Sequence, residues 1–132
     1  MTPVQSHNMN RSFLLVAIGG LAGSVCRFIT ASYFTKLIPS DFPYGTFIAN
    51  VAGCLLIGLF YGMSERFAWF SPGWRLMLAT GFCGGFTTFS SFSYENIKLL
   101  QAADYRTFGI YTLGSLFAGL SAAFIGIILT KI

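Results

Sequence analysis

Four long apolar runs, approximately Ser12–Leu37, Tyr44–Phe67, Arg75–Leu100 and Thr107–Lys131, take up most of this 132-residue chain. A helix needs about 20 residues to cross the hydrocarbon core of a bilayer, and every run meets that length. The connections, Ile38–Pro43, Ala68–Trp74 and the surroundings of Gln101–Asp104, leave no room for a soluble domain. Only 9% of residues are charged, against about 25% in a typical soluble domain. The sequence therefore predicts an all-α integral membrane unit of four transmembrane helices over residues 11–132. Residues 1–10 are polar and are expected to form a mobile tail. The run after Arg11 exceeds a signal-peptide core and lacks a convincing small-residue cleavage site, so it reads as a permanent span.

The third run contains Gly81-Phe82-Cys83-Gly84-Gly85-Phe86-Thr87-Thr88-Phe89-Ser90-Ser91-Phe92-Ser93. Two adjacent glycines and five hydroxyl side chains stand where lipid demands an unbroken helix. Free backbone groups at that depth are tolerated only where protein shields them or a polar path passes. Gly84-Gly85 and Thr87-Thr88 continue a helix poorly, so the third helix is expected to break mid-membrane with inward carbonyls. Discontinuous helices use such carbonyls to coordinate cations. Two copies meeting here would surround one monovalent cation, with sodium the natural candidate because no carboxylate is close in sequence.

Other chemistry is poorly supported. The net charge of +4 comes from scattered residues rather than a basic face, which argues against nucleic-acid binding. Cys26, Cys54 and Cys83 each fall inside a span and read as small hydrophobes. The single histidine, His7, lies in the tail and leaves neither a metal cluster nor a hydrolytic triad. The glycines lack the lysine and spacing of a phosphate loop.

With four spans, Arg11, Arg66, Arg75 and Lys131 share one side, and Lys36, Lys98 and Arg106 the other. This asymmetry is too small to instruct orientation through short loops. Either a signal outside the loop charges or a partner fixes topology, or the chain inserts both ways and pairs with an inverted copy. A four-helix unit encloses little polar path alone, which favours the antiparallel homodimer. Small residues four apart occur in every run: Gly19 and Gly23, Ala49 and Gly53, Gly58 and Gly62, Gly81 and Gly85, Ser115 and Gly119. That spacing puts them on one face and permits close helix packing.

Asn50 is the strongly polar side chain of the second run. Its amide either bonds another helix or donates N–H groups to an anion, and the neighbouring broken helix favours the second role. Arg27 either snorkels to the interface or sits in a wet vestibule and concentrates anions. Glu95 and Lys98 are three apart and suited to pair on one helical face. Tyr111 and Ser115 are four apart and suited to extend a hydroxyl track, although membrane serines often bond their own helix. Phe89 and Phe92 are helical neighbours. They serve either as packing bulk or as ring edges, which are electropositive, for an anion held weakly enough to leave.

In order along the chain, four features resemble the Fluc (CrcB) family of bacterial fluoride channels, from about Arg11 onward. They are Gly19-Gly20-Leu21-Ala22-Gly23 with Arg27, Gly45-Thr46 through Asn50, Gly84 through Ser93 with Glu95, and Tyr111 with Ser115. The third-helix motif is the specific one. The resemblance implies a passive fluoride-selective channel in the bacterial inner membrane, built as a dual-topology homodimer with two antiparallel pores. It implies that Asn50 contacts fluoride, that Phe89 and Phe92 form an aromatic box, and that Tyr111 and Ser115 line the track. Thr46 and Glu95 would lie near the vestibule or just behind its lining, with Arg27 in the vestibule. Carbonyls of Gly84 and Thr87 from both copies would hold a structural sodium ion. Four residues after Ser115, where some members have a second serine, this chain has Gly119.

Two rival classes remain. A small proton-coupled multidrug exporter shares the size and dual topology but needs a carboxylate in its first helix, where this chain has Arg27 and no acid. A non-transporting membrane assembly subunit would explain the small-residue faces but not the broken helix. Neither is an enzyme.

Overall fold

The computed structural model describes residues 3–132, with side chains from residue 8. All regular structure among these residues is helical. Helix α1 runs Pro3–Leu37 and α2 runs Tyr44–Arg66. The first two residues of the expected tail and the His7 side chain lie outside the described residues. From Pro3 onward the polar segment is already part of α1. Helix α6, Tyr105–Leu129, completes the set of three helices long and apolar enough to span a membrane, the other two being Asn8–Leu37 of α1 and α2.

The third apolar run is instead jointed. It begins with a single turn, α3 (Pro72–Arg75), and continues as a π-helical stretch, Leu76–Cys83. A short α4 (Gly84–Phe86) follows, then two extended residues, and then α5 (Phe89–Gln101). The break is narrower than the sequence suggests. Gly84 keeps helical angles (φ −61°, ψ −37°), whereas Thr87 (φ −86°, ψ 156°) and Thr88 (φ −150°, ψ 117°) are extended. The β-branched threonines suit an extended backbone. Thr88 then restarts the helix as an N-cap, its Oγ1 accepting from the Ser91 N–H at 3.1 Å. A side-chain oxygen in this position satisfies one of the orphan donors of a first turn.

Small residues determine where the helices meet. Gly19 and Gly23 of α1 face the Met77 and Phe82 carbonyls so closely that a Cβ at either position would collide with backbone. Gly81 and Gly85 return the contact against α1. On the opposite flank Gly58 of α2 lies against the Ala123 backbone of α6. The jointed run is thereby clamped to α1, and α2 to α6, while α5 leans on α6. Between α5 and α6, Ala103 adopts a positive φ of 57°. The Asp104 N–H bonds the Leu99 carbonyl at 2.9 Å, closing α5 in the manner usual for a left-handed cap.

Candidate functional site

The break opens onto a groove of 710 Å³ between α2, the jointed run and α6. Asn50, Thr88, Phe89, Phe92, Thr112 and Ser115 all border it, together with Gly84 and Thr87. Its wall is mostly apolar, so each polar group on it is a feature to be accounted for.

Asn50 spans the break. Its Oδ1 accepts from the Thr88 N–H at 2.7 Å, and its Nδ2 donates to the Thr88 carbonyl at 3.1 Å. The amide thus replaces helix bonds that the extended threonines forgo, and its orientation is dictated by the two contacts. An amide carries two N–H donors, so one remains for the groove. The interhelical reading of Asn50 thus uses its oxygen and one of its two N–H groups.

These bonds also leave two carbonyls without their usual partners. In a continuous helix the Gly84 carbonyl would accept from Thr88 and the Thr87 carbonyl from Ser91. Here the Thr88 N–H goes to Asn50 and the Ser91 N–H to the Thr88 hydroxyl. Gly84 is exposed on the groove wall, and nothing lies within 4 Å of where its Cβ would stand. Oxygen donors of this kind fit a hard monovalent cation.

Glu95 organises a second polar cluster. One carboxylate oxygen accepts from Thr46 Oγ1 at 2.5 Å and the other from the Tyr111 hydroxyl at 2.8 Å. Tyr111 is fully buried and Thr46 nearly so. Glu95 does not pair with Lys98 among the described residues; the lysine ammonium lies over the Tyr94 ring, 5.5 Å from its centroid. Glu95 and Lys98 also line a second cavity of 400 Å³ with Asp41 and Asp104. The Phe92 ring, on the groove side, packs 5.1 Å from Tyr111. The Glu95 cluster therefore stands between the two cavities.

Phe89 and Phe92 lie 5.7 Å apart between centroids with their planes tilted by 35°. Phe89 is 77% exposed, a large apolar ring projecting from the rim of the groove. Ser115 Oγ is buried and has no hydrogen-bond partner. Arg27 does not line the groove; its Nε donates to the Gly85 carbonyl at 3.0 Å, bracing the end of α4 from α1. The expected residues thus divide into a groove set (Asn50, Phe89, Phe92, Ser115, Gly84, Thr87), an acidic cluster (Thr46, Glu95, Tyr111) and the Arg27 brace. Asn96 is an addition. It is buried, and its Oδ1 accepts from Thr112 Oγ1 at 3.2 Å. Its position four residues after Phe92 was the available signal, since that spacing shares a helical face.

A family model described as CrcB-like protein, Camphor Resistance (CrcB), matches residues 14–127. The chain belongs to the CrcB family. Proteins named fluoride-specific ion channel FluC also align with this chain over nearly their whole length. The one from Leptospira interrogans (serovar Lai) is 43% identical across 94% of this chain and 98% of its own. The Flavobacterium psychrophilum protein is 46% identical across 92% and 98%, and the Gloeothece citriformis protein 47% identical across 89% and 95%. The CrcB match covers both the groove and the Glu95 cluster.

Proposed function

We propose that this chain is a passive, fluoride-selective channel of the bacterial inner membrane that lets fluoride leave the cytoplasm. The observation that carries the reading is the near full-length similarity to CrcB proteins named as fluoride-specific channels. The groove supplies a chemistry consistent with it. Fluoride is small and strongly hydrated, so a path must replace water with donors. The spare Asn50 N–H, the Ser115 hydroxyl and the edges of Phe89 and Phe92 are such donors. None is a cation, so a bound anion is held without a trapping charge and conduction is preserved. Fluoride would pass between the groove and the second cavity beside the Glu95 cluster, whose Thr46 and Tyr111 hydroxyl protons are held by the carboxylate. Weak-acid entry supplies the gradient: HF that crosses the membrane dissociates inside, and a passive anion path returns it.

The functional unit in this reading is an inverted homodimer of four-span subunits. The near-equal Lys/Arg distribution and the exposed Phe89 ring, a large apolar surface at the groove rim that a second copy would cover, support it. Gly84 and Thr87 of each copy would then offer their carbonyls to one sodium ion, which would neutralise the clustered oxygens and tie the two breaks together. The chain is a transporter and not an enzyme. The proton-coupled exporter is disfavoured because α1 contains no Asp or Glu.

Fluoride efflux from liposomes holding the purified protein, followed with a fluoride electrode, tests the proposal. Rapid fluoride efflux with little chloride efflux is expected. Well-folded protein that releases neither, or both equally, would overturn it.

A further inference from the structure

The two amides near the groove differ in how firmly they are oriented. Asn50 is fixed by two backbone contacts on Thr88. Asn96 makes one side-chain hydrogen bond among the described residues, to Thr112 Oγ1 at 3.2 Å. An amide end is O or N depending on how it is turned, and the terminal torsion of Asn is broad and roughly two-fold. Asn96 can therefore present either end to Thr112 and keep the bond.

The choice decides what Thr112 shows to the groove. A threonine hydroxyl has one proton. When Asn96 Oδ1 faces it, that proton is spent, and only lone pairs remain toward the groove. When Asn96 Nδ2 faces it, the amide donates, and the Thr112 proton is released to point elsewhere. Thr112 borders the groove, and so does Ser115, three residues on and on the same face of α6. Ser115 Oγ is buried without a partner. Two hydroxyls on one face of α6 are thus available near the groove, one buried without a partner and one releasable by an amide turn.

We propose that Asn96 and Thr112 form a switchable donor that, with Ser115, makes an additional binding station for a small hard anion on the α6 side of the groove. In the observed arrangement Thr112 donates to Asn96 Oδ1. An arriving anion takes the Thr112 proton as a hydrogen bond while the Asn96 amide turns to support the hydroxyl. The station rests on the fluoride-conduction reading and specifies where an ion pauses beyond Asn50.

The test is fluoride efflux from liposomes at graded internal fluoride, using the full chain and the variants Thr112→Val, Thr112→Ser and Asn96→Leu. Thr112→Val keeps the shape and removes the hydroxyl, and a hydrogen bond to a charged group of the usual strength predicts an about tenfold rise in half-saturating fluoride. Thr112→Ser should restore the wild-type value. Asn96→Leu leaves the hydroxyl proton permanently free, so its half-saturating concentration should stay near or below wild type. An unchanged fluoride dependence in Thr112→Val overturns the station. Equal effects of Thr112→Val and Asn96→Leu on folded yield, with no shift in fluoride dependence, would make the pair a plain interhelical tie and overturn it equally. If Asn96→Leu does not fold, the Val and Ser variants still decide. Absence of fluoride efflux from wild-type protein is a different result, which removes the conduction reading itself.

Discussion

The Glu95 cluster and the groove wall use the same chemical groups to opposite ends. At Glu95 both carboxylate oxygens are taken, by Thr46 and Tyr111, and the cluster joins α2, α5 and α6. On the groove wall Ser115 has no partner, Asn50 keeps one N–H spare, and the Gly84 and Thr87 carbonyls have lost their helix donors. Hydrogen bonds already made hold the bundle together. Unmade ones, costly in an apolar setting, are what a passing ion would complete. On the proposed reading the difference separates residues that stabilise from residues that conduct, and substitutions should sort the same way.

The most severe break should come from packing. Gly58→Leu would drive a side chain into the Ala123 backbone and separate α2 from α6. We expect no folded protein, read as loss of the monodisperse peak after detergent extraction. Asn50→Leu is next, because it removes both the clasp on Thr88 and the spare N–H. Leaving buried polar groups unpaired costs about 1–3 kcal/mol each. The thermal midpoint should fall and fluoride efflux per folded protein should vanish. Tyr111→Phe removes one bond to Glu95 and no bulk. Unfolding measurements should show a loss of about 1–2 kcal/mol. A smaller effect still is expected from Ala103→Gly, which relieves a left-handed backbone costing a side chain about 1–2 kcal/mol. Glycine gives back part of that in unfolded-state entropy, leaving a slight rise in the midpoint.

The sequence made some of these groups visible and concealed others. An amide in an apolar run, two phenylalanines three apart and a glycine-threonine segment are local anomalies, which is why Asn50, Phe89, Phe92 and the break could be located. The extent of the break could not. Gly84 and Gly85 are weak helix formers, yet they remain helical because Gly85 is pressed against α1. The threonines unwind because Asn50, 38 positions away, takes the Thr88 N–H. Long-range partner choice was equally hidden. Glu95 had an obvious neighbour in Lys98 but bonds Thr46 and Tyr111, which only the folded helices bring to it. Arg27 was readable as an expensive charge but not as a brace on the Gly85 carbonyl.

Ser115→Ala, followed for both stability and transport, tests most directly the claim that unmade hydrogen bonds mark the path. The serine oxygen is buried and unpartnered, so its removal should leave the unfolding midpoint unchanged or slightly raised. Fluoride efflux per folded protein should nevertheless fall by about tenfold, the value of one hydrogen bond to an anion. A lowered midpoint with undiminished efflux would contradict the account, because Ser115 would then be holding the bundle and not the ion.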